Sequence, residues 1–567
     1  MIHPSRYDLK SVRLPRLAGW KLKAFVELVE NPVAGPLLVR QMLETGGIST
    51  LRRMAPDESP TYRPFAPCDG PVASAAPHDL APFLETRRSP PAGAGLPTVR
   101  DYESAYLSGR VTPVQVAEKV FEAIAESNAR TPPLRAIVAC REDDLMSQAR
   151  ASAQRFREGR PLGVLDGVPV AVKEEFDMVP YPTTVGTSFL GRSPASEDAT
   201  TVARLRAAGA LLVGKANMHE IGIGVTGINP HHGATRNPHD PEHVSGGSSS
   251  GSAAAVAAGL CPVALGADGG GSIRIPSALC GLVGLSPTYA RVSSFGAAPL
   301  AWTVDHYGPI AGSAQDAAIA YAVLAGPDPK DPGTRRQPPV SLEAFDDLDL
   351  RGLTLGVYRP WFEHASPAMV EGCSRLVDGL KGMGATVREI EIPELDAARI
   401  AHLVTIISEM ASGVERHDSA HRRDLGLDVR VSLALARTLT SRDYLQAQRI
   451  RSRAIAHVES VLEQVDAIVT PATGCTAPRI GADALPDGES DLTTTLEIMR
   501  YSTLANLTGH PAIAIPAGYD AGGLPVGLQA IGRYWHEHTL LRLAHAAERV
   551  VDRRAPRVRW RFLGPEG

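Results

Sequence analysis

Several features that would assign a function at once are missing from this 567-residue chain. No apolar run reaches the ~18 residues that a membrane-spanning helix requires. The N-terminus lacks the apolar core and the small-residue cleavage site of a signal peptide. The six cysteines are scattered without Cys-x-x-Cys spacing, which argues against a disulfide scaffold and is typical of reduced thiols in a cytoplasmic protein. We therefore expect a cytoplasmic enzyme or binding protein.

Strong charge and phosphate-binding motifs are also missing. The chain has 58 basic and 62 acidic residues, a net charge of −4 with neutral histidine, so the composition gives no indication of a nucleic-acid partner. Neither glycine-rich loop contains Gly-Lys-Ser/Thr, which excludes a P-loop nucleotide site. No internal repeat with a period of about 20–50 residues is present, which argues against a solenoid.

The sequence does contain two serine-glycine clusters, residues 246–252 and 269–274, whose central serines are 24 residues apart. Glycine runs let the backbone approach a ligand and turn several N–H groups toward one point. Ser272 directly follows three glycines, so its hydroxyl adjoins a candidate anion pocket, the arrangement that acyl transfer needs. The small residues between the clusters predict a buried helix followed by a short strand.

A third candidate lies upstream of both clusters. Residues 167–173 form a short apolar run that ends in Lys173, which predicts a buried strand delivering one amine to a site. Burial of a lysine without a partner favours the neutral amine, a competent general base near pH 7. The alternative is a lysine at a strand end whose amine reaches solvent.

The three blocks read Gly-Val-Pro-Val-Ala-Val-Lys, Gly-Gly-Ser-Ser and Gly-Gly-Ser-Ile-Arg-Ile-Pro. Lys173 precedes Ser248 by 75 residues, and Ser248 precedes Ser272 by 24 residues. In motif, order and spacing, residues 97–550 resemble the amidase signature family of serine hydrolases.

This resemblance implies a Ser–Ser–Lys triad, an acyl-enzyme intermediate and no metal or cofactor. Lys173 is expected to take a proton from Ser248, which takes one from the nucleophile Ser272. The expected oxyanion hole consists of four backbone N–H groups, those of Gly269, Gly270, Gly271 and Ser272. Gly222 and Ser248 are expected to contact the substrate. We interpret Asp268 and Arg274, which flank the nucleophile, as structural supports of its turn.

A different nucleophile is also possible. Residues 247–251 match the Gly-x-Ser-x-Gly elbow of α/β-hydrolases, with Ser249 as nucleophile and His510 or His536 as base. No convincing strand precedes this motif in residues 240–244, whereas the elbow requires a strand, a turn and a helix. The esterase of this type is kept as the alternative.

From residue 97 onward, apolar strand-like runs alternate with helical stretches, which predicts an α/β fold with helices on both faces of the sheet. Five such runs are residues 169–172, 210–213, 353–357, 467–470 and 512–516. The resemblance implies the amidase-signature fold, a large twisted mixed β-sheet, in a catalytic domain of residues 97–555. Residues 1–96 form the expected N-terminal helical extension and linker, irregular from residue 54.

The extension has a pattern of its own. Residues 1–53 contain nine Lys or Arg and four Asp or Glu, and residue 36 begins a second predicted helix that stops near residues 46–47. The apolar face predicted for the first helix consists of Trp20, Ala24, Phe25, Leu28 and Val29. The favoured interpretation is packing on the catalytic domain, and peripheral membrane contact is the alternative. A homodimer is left open.

Residues 12–65, 470–478 and 499–501 resemble plant-type fatty acid amide hydrolases. That resemblance implies a small-molecule amide substrate with a hydrophobic acyl chain, such as an N-acylethanolamine, cleaved to free acid and amine. The alternatives within the same fold are smaller amides (aryl acylamides or carbamates) and the glutaminase component of an amidotransferase. A catalytically inactive binding protein is the third possibility.

Overall fold

The computed structural model describes residues 7–68, 70–73 and 95–564. Its strands are β1 (Leu17–Ala18), β2 (Ile137–Ala139), β3 (Pro169–Lys173), β4 (Leu211–Ala216), β5 (Val263–Asp268), β6 (Val283–Ser286), β7 (His306–Ala311), β8 (Thr354–Val357), β9 (Thr386–Glu389), β10 (Ala467–Pro471), β11 (Glu489–Ser490), β12 (Ala512–Tyr519) and β13 (Pro525–Gly532). Eleven of them form a central mixed sheet with the order β2-β4-β3-β5-β7-β6-β12-β13-β10-β8-β9, and β1 pairs with β11 in a separate ribbon.

Helices flank this sheet. They are α1 (Gly19–Val29), α2 (Gly35–Thr45), α3 (Ile48–Arg53), α4 (Val99–Leu107), α5 (Pro113–Ala129), α6 (Glu142–Arg157), α7 (Thr200–Ala207), α8 (Ser250–Ala257), α9 (Arg274–Leu279), α10 (Ala314–Leu324), α11 (Arg359–Phe362), α12 (Pro367–Gly382), α13 (Leu395–His421), α14 (Leu427–Ala436), α15 (Ser441–Leu462), α16 (Leu492–Met499), α17 (Thr503–Thr508) and α18 (Glu537–Ala547). None of these described helices has the apolar length needed to cross a bilayer.

The α/β fold predicted from the sequence is confirmed, and so are all five predicted strands. Strands β3, β4 and β5 are buried along their whole length, which explains their continuous apolar sequences, since parallel strands are covered on both faces. The helix and strand predicted between the serine clusters are α8 and β5.

The register of the sheet brings the catalytic segments to one edge. Strands β3 and β5 are parallel, with Val172 opposite Leu265, so their carboxyl ends lie side by side. Lys173 ends β3, and the second glycine loop begins directly after Asp268, the last residue of β5. Two segments almost 100 residues apart in sequence are therefore joined by strand pairing.

The N-terminal helices pack on the rest of the protein, as predicted. Leu22 and Val26 of α1 are buried against Val431 of α14, and α2 spans close to its predicted limits. The apolar face predicted for α1 is wrong in part: Val29 is buried and Phe25 is partly buried against the protein, but Trp20 is 75% exposed and Leu28 is 51% exposed. A second apolar stripe on this helix, Leu22, Val26 and Val29 with i, i+4, i+7 spacing, packs on the rest of the protein.

Residues 54–68 and 70–73 contain no helix or strand, in agreement with the predicted irregular linker. Residues 69 and 74–94 of that linker lie outside the described residues. The predicted division into an extension and a catalytic domain at residues 96–97 stays a prediction.

Candidate active site

Lys173 is buried at the end of β3, with 1% of its side chain exposed. Its Nζ lies 2.9 Å from the Ser248 hydroxyl and 2.8 Å from the Glu175 carboxylate, and it makes a longer contact of 3.4 Å with the Ala267 carbonyl. The alternative in which this amine reaches solvent is therefore wrong. The structure joins two of the three predicted catalytic side chains by a hydrogen bond.

Glu175 was not predicted as a site residue. Its side chain is 3% exposed, and its carboxylate forms a buried ion pair with the Lys173 amine. The expectation of a neutral amine assumed a lysine without a charged partner. Glu175 lies in the turn that follows β3, where the Phe176 N–H donates to the Lys173 carbonyl at 3.2 Å, and its position two residues after Lys173 was the available signal.

The first serine loop is held tightly before α8. Ser248 is 2% exposed, and its carbonyl accepts the His219 N–H at 3.1 Å. At Gly251 a Cβ would lie 2.2 Å from both the Ala136 oxygen and the Asn217 nitrogen. Only glycine permits this approach of α8 to the neighbouring backbone, and the approach fixes the loop that carries Ser248.

The neighbouring Ser249 has a structural role. It is fully buried, donates its hydroxyl to the Ala267 carbonyl at 3.0 Å and accepts the Ala267 N–H at 3.3 Å. His510 contacts Glu459 and Thr508 instead, and among the described residues no histidine hydrogen-bonds to Ser249. These contacts tie α8 to β5 and contradict the elbow alternative, which needs an accessible serine with a histidine base.

A buried ion pair supports the nucleophile turn, as predicted. Arg274 donates to Asp268 at 2.9 Å, and both side chains are fully buried. The Asp268 carboxylate also accepts the N–H groups of Gly271 at 2.7 Å and Ile273 at 3.0 Å. Burial alone would raise the pKa of Asp268, but Arg274 and the N–H donors, including the amide of Asn506, hold it well below its usual range.

Every carbonyl group from residue 268 to residue 271 accepts a hydrogen bond. The donors are Asn506 Nδ2 to Asp268 at 2.6 Å, His402 Nε2 to Gly269 at 2.8 Å, Ser502 Oγ to Gly270 at 2.7 Å and Ile275 N to Gly271 at 2.6 Å. In a planar trans peptide the next N–H points opposite to the carbonyl. The N–H groups of Gly269, Gly270 and Ser272 are thus directed away from these donors, whereas the Gly271 N–H is directed at Asp268.

The two serine loops and Gly222 meet at one place. The Ser272 carbonyl accepts the Ser249 N–H at 3.3 Å, and Ser272 is 6% exposed. A Cβ on Gly222, which has a φ of +73°, would lie 3.6 Å from the Ser248 hydroxyl oxygen. Gly222 therefore adjoins the site, and its contact with substrate stays a prediction.

Apolar side chains surround these loops. The same Cβ on Gly222 would lie 3.5 Å from Leu300 and 3.6 Å from Met410, and both residues belong to one buried apolar cluster. A separate cleft of about 870 Å³ lies along α13, and both apolar and charged side chains line it, among them Val414 and Asp418. Within the described residues, no group of three or more His, Cys, Asp or Glu side chains could hold a metal ion.

Comparison with known proteins decides the family. The profile of the family described as Amidase matches residues 118–541. Fatty acid amide hydrolases from Medicago truncatula and Arabidopsis thaliana are each 40% identical to the chain, over 99% and 96% of it and over 97% and 94% of their own lengths. The chain belongs to the amidase signature family.

A solved relative of this amidase is shorter. The native peptide amidase from Stenotrophomonas maltophilia matches with a TM-score of 0.71 and 30% identity, over 82% of this chain and 99% of that one. The protein is thus an amide hydrolase with the predicted fold.

Sequence reasoning missed most residues that hold the nucleophile loop of this amidase. Arg274 is held from the far side by the Gln529 side chain at 2.6 Å, and the carbonyl donors His402, Ser502 and Asn506 lie 133 to 238 residues from their partners. None of them occurs in a motif with the serines, so only the tertiary structure reveals them.

Proposed function

We propose that this amidase cleaves fatty acid amides of the N-acylethanolamine type to a free fatty acid and an amine. The observation that carries the proposal is the apolar cluster at Leu300 and Met410, which adjoins Ser248 where the acyl group of a substrate has to lie. The fatty acid amide hydrolases also match the chain over nearly its whole length, including the N-terminal extension. Such an activity belongs to lipid degradation.

The proposed reaction begins with attack by Ser272 on the amide carbon. Ser272 gives its proton to Ser248, and Ser248 gives its own proton to Lys173, which acts as a neutral amine at this moment. The Glu175 carboxylate, 2.8 Å from Nζ, stabilises the ammonium that forms. The proton then returns through Ser248 to the leaving amine, because an amine anion is a very poor leaving group.

In the second half, water attacks the acyl-enzyme ester and gives its proton through Ser248 to Lys173. The bond between the acyl carbon and the Ser272 oxygen then breaks, and that oxygen recovers the proton from Lys173 through Ser248 as the acid leaves. We propose the backbone N–H groups of the 269–272 loop as the oxyanion hole. The Gly271 N–H contributes least in this scheme, since Asp268 already accepts it at 2.7 Å.

Hydrolysis of acyl p-nitroanilides with chains of two to sixteen carbons tests the substrate class. We expect kcat/KM to rise with chain length, because each buried methylene is worth up to ~0.8 kcal/mol. A maximum at short chains would assign the enzyme to smaller amides, and no hydrolysis at any length would refute the proposal.

The variant Met410→Gln tests the acyl site directly. We expect it to lower kcat/KM for the sixteen-carbon substrate at least tenfold more than for the acetyl substrate, because a polar amide replaces an apolar contact of the long chain. Met369→Gln is the matched control, since Met369 is equally buried but lies in α12 within the main core. Equal losses on both substrates with Met410→Gln would contradict the assignment.

For the cell, we propose a cytoplasmic enzyme that touches membranes through α1 and α2. Four apolar side chains of this region are strongly exposed, namely Trp20, Leu28, Val33 and Leu37, and residues 1–53 are basic overall. Co-sedimentation with anionic phosphatidylserine vesicles should be reduced by Trp20→Ser with Leu37→Ser. If the double variant instead changes the sedimentation coefficient without vesicles, the surface is a homodimer interface.

A further inference from the structure

His402 of α13 contacts the nucleophile loop from behind. Its Nε2 lies 2.8 Å from the Gly269 carbonyl oxygen, and the position of a Cβ on Gly270 would lie 3.1 Å from the His402 ring. The ring is 2% exposed and lies 133 residues from Gly269 in sequence. A carbonyl only accepts hydrogen bonds, so Nε2 must carry the proton.

This hydrogen bond fixes the orientation of one peptide group. The Gly269–Gly270 peptide is flanked by two residues without side chains, so its own steric preferences do not determine which way it faces. With its carbonyl bound to His402, its N–H points to the opposite side. The Gly270 N–H therefore points away from His402.

The next peptide along the loop provides the contrast. Ser502 holds the Gly270 carbonyl at 2.7 Å, and the N–H on the other side of that peptide donates to Asp268 at 2.7 Å. Of these two peptides, one has its N–H bound within the loop, and the other has its N–H directed away from His402. An outward N–H beside Ser272 is what an oxyanion hole requires.

We infer that His402 is a positioning residue of the oxyanion hole: it holds the Gly269 carbonyl and thereby aims the Gly270 N–H at the oxygen of the tetrahedral intermediate. The inference rests on the proposed mechanism, in which Ser272 is the nucleophile. Burial lowers the pKa of His402 to about 4, so the ring is neutral at physiological pH and places no charge next to the loop. His402 itself does not touch substrate.

The test compares His402→Leu, which removes the donor, with His402→Gln, whose amide nitrogen reaches a similar position. We expect His402→Leu to lower kcat about 10- to 100-fold with KM within about threefold, because oxyanion contacts strengthen only in the transition state. Affinity for an acyl trifluoromethyl ketone, whose carbonyl oxygen takes the oxyanion position once Ser272 has added to the ketone carbon, should fall by the same factor. Inhibition by the product acid should stay constant, and His402→Gln should recover most of kcat.

His239→Leu is the matched control. His239 is also a buried neutral histidine, whose Nε2 binds a backbone carbonyl, that of Cys280, at 3.2 Å. We expect it to lower stability as His402→Leu does, with kcat within about twofold of wild type. If His402→Leu does not fold, His402→Asn replaces it, because its amide is too short to reach Gly269.

Two results would overturn the inference. One is a donor-free variant whose kcat stays within threefold of wild type, and the other is a loss of kcat without a matching loss of ketone affinity. Failure of the proposed mechanism looks different, because the Ser272→Ala variant would then retain activity. If wild type prefers short amides, the same comparison is made on those substrates.

Discussion

At the level of single side chains, Lys173 has two partners within 3 Å, the Ser248 hydroxyl and the Glu175 carboxylate. In the proposed mechanism the hydroxyl is the path for a proton, and the carboxylate stabilises the positive charge that the path delivers. A buried charge without such a partner would cost several kcal/mol.

The replacement Lys173→Ala should lower kcat/KM for amides by about 10²–10⁴-fold, the usual effect of losing a general base. The matched control is Lys215→Met on β4. Lys215 is equally buried and binds the Phe176 carbonyl, and burial lowers its pKa, yet it makes no contact with the serines. We expect the control to keep kcat within about fivefold, and a Lys173→Ala variant within tenfold of wild type would remove Lys173 from the mechanism.

At the level of elements, the loop from β5 to α9 is held in one conformation because each of its carbonyls from residue 268 to residue 271 accepts a hydrogen bond. Asp268 and Arg274 close it from within, and Asn506, Ser502 and His402 hold its carbonyls from α17, the turn before α17, and α13. In the proposed mechanism this loop needs no rearrangement when negative charge develops on the substrate, because its N–H groups are already fixed in place.

Asp268→Asn should destabilise the protein by about 3–5 kcal/mol at pH 7, because it leaves the Arg274 guanidinium buried without its counter-charge. The pKa of Asp268 lies below its unfolded value, so its stabilising contribution is present above about pH 4 and is lost as pH falls further. The difference between variant and wild type in urea unfolding should therefore shrink at pH 3.

The control for this experiment is Asp483→Asn, which breaks the exposed ion pair with Arg16. An exposed pair is worth at most about 1 kcal/mol. If the two variants lose similar amounts of stability, the Asp268–Arg274 pair does not hold the turn.

The sequence predicted the features that depend on neighbouring residues, namely the buried strands and the glycine-rich loops. Parallel strands such as β3 and β5 are buried on both faces and carry a continuous apolar signal, and Gly271 of the nucleophile loop has a φ of +110°, which residues with a side chain rarely adopt. The buried face of α1 was predicted wrongly in part because two apolar stripes compete on that helix, and only the position of α14 decides between them. His402 and Asn506 could not be predicted, since their partners lie more than 100 residues away.

At the level of the whole molecule, three buried histidines share one pattern. His239, His306 and His402 each bind a backbone carbonyl, and burial lowers the pKa of each from 6.5 to about 4. In the unfolded chain these rings take up protons below about pH 6.5, whereas in the folded protein they stay neutral to about pH 4.

These three rings should therefore lower the free energy of unfolding as pH falls from about 6.5 to about 4, since the unfolded state binds more protons at them in this window. Burial raises the pKa of Asp316 to about 8, and this carboxyl acts in the opposite direction over the same window. Each histidine contributes at most about 3 kcal/mol, and urea unfolding of wild type and His239→Leu at several pH values from 4.5 to 8 isolates one of them. A stability difference between the two proteins that is the same at pH 5 and pH 7.5 would show that the His239 ring is not neutral and buried as described.

The proposed mechanism depends most directly on Ser272 as the nucleophile. Reaction of the wild-type enzyme with a fluorophosphonate, followed by mass spectrometry of its peptides, tests this in one measurement. We expect a single adduct on Ser272 and none in the Ser272→Ala variant. An adduct on Ser249, which the structure places between α8 and β5 with its hydroxyl bound to the Ala267 carbonyl, would contradict the account.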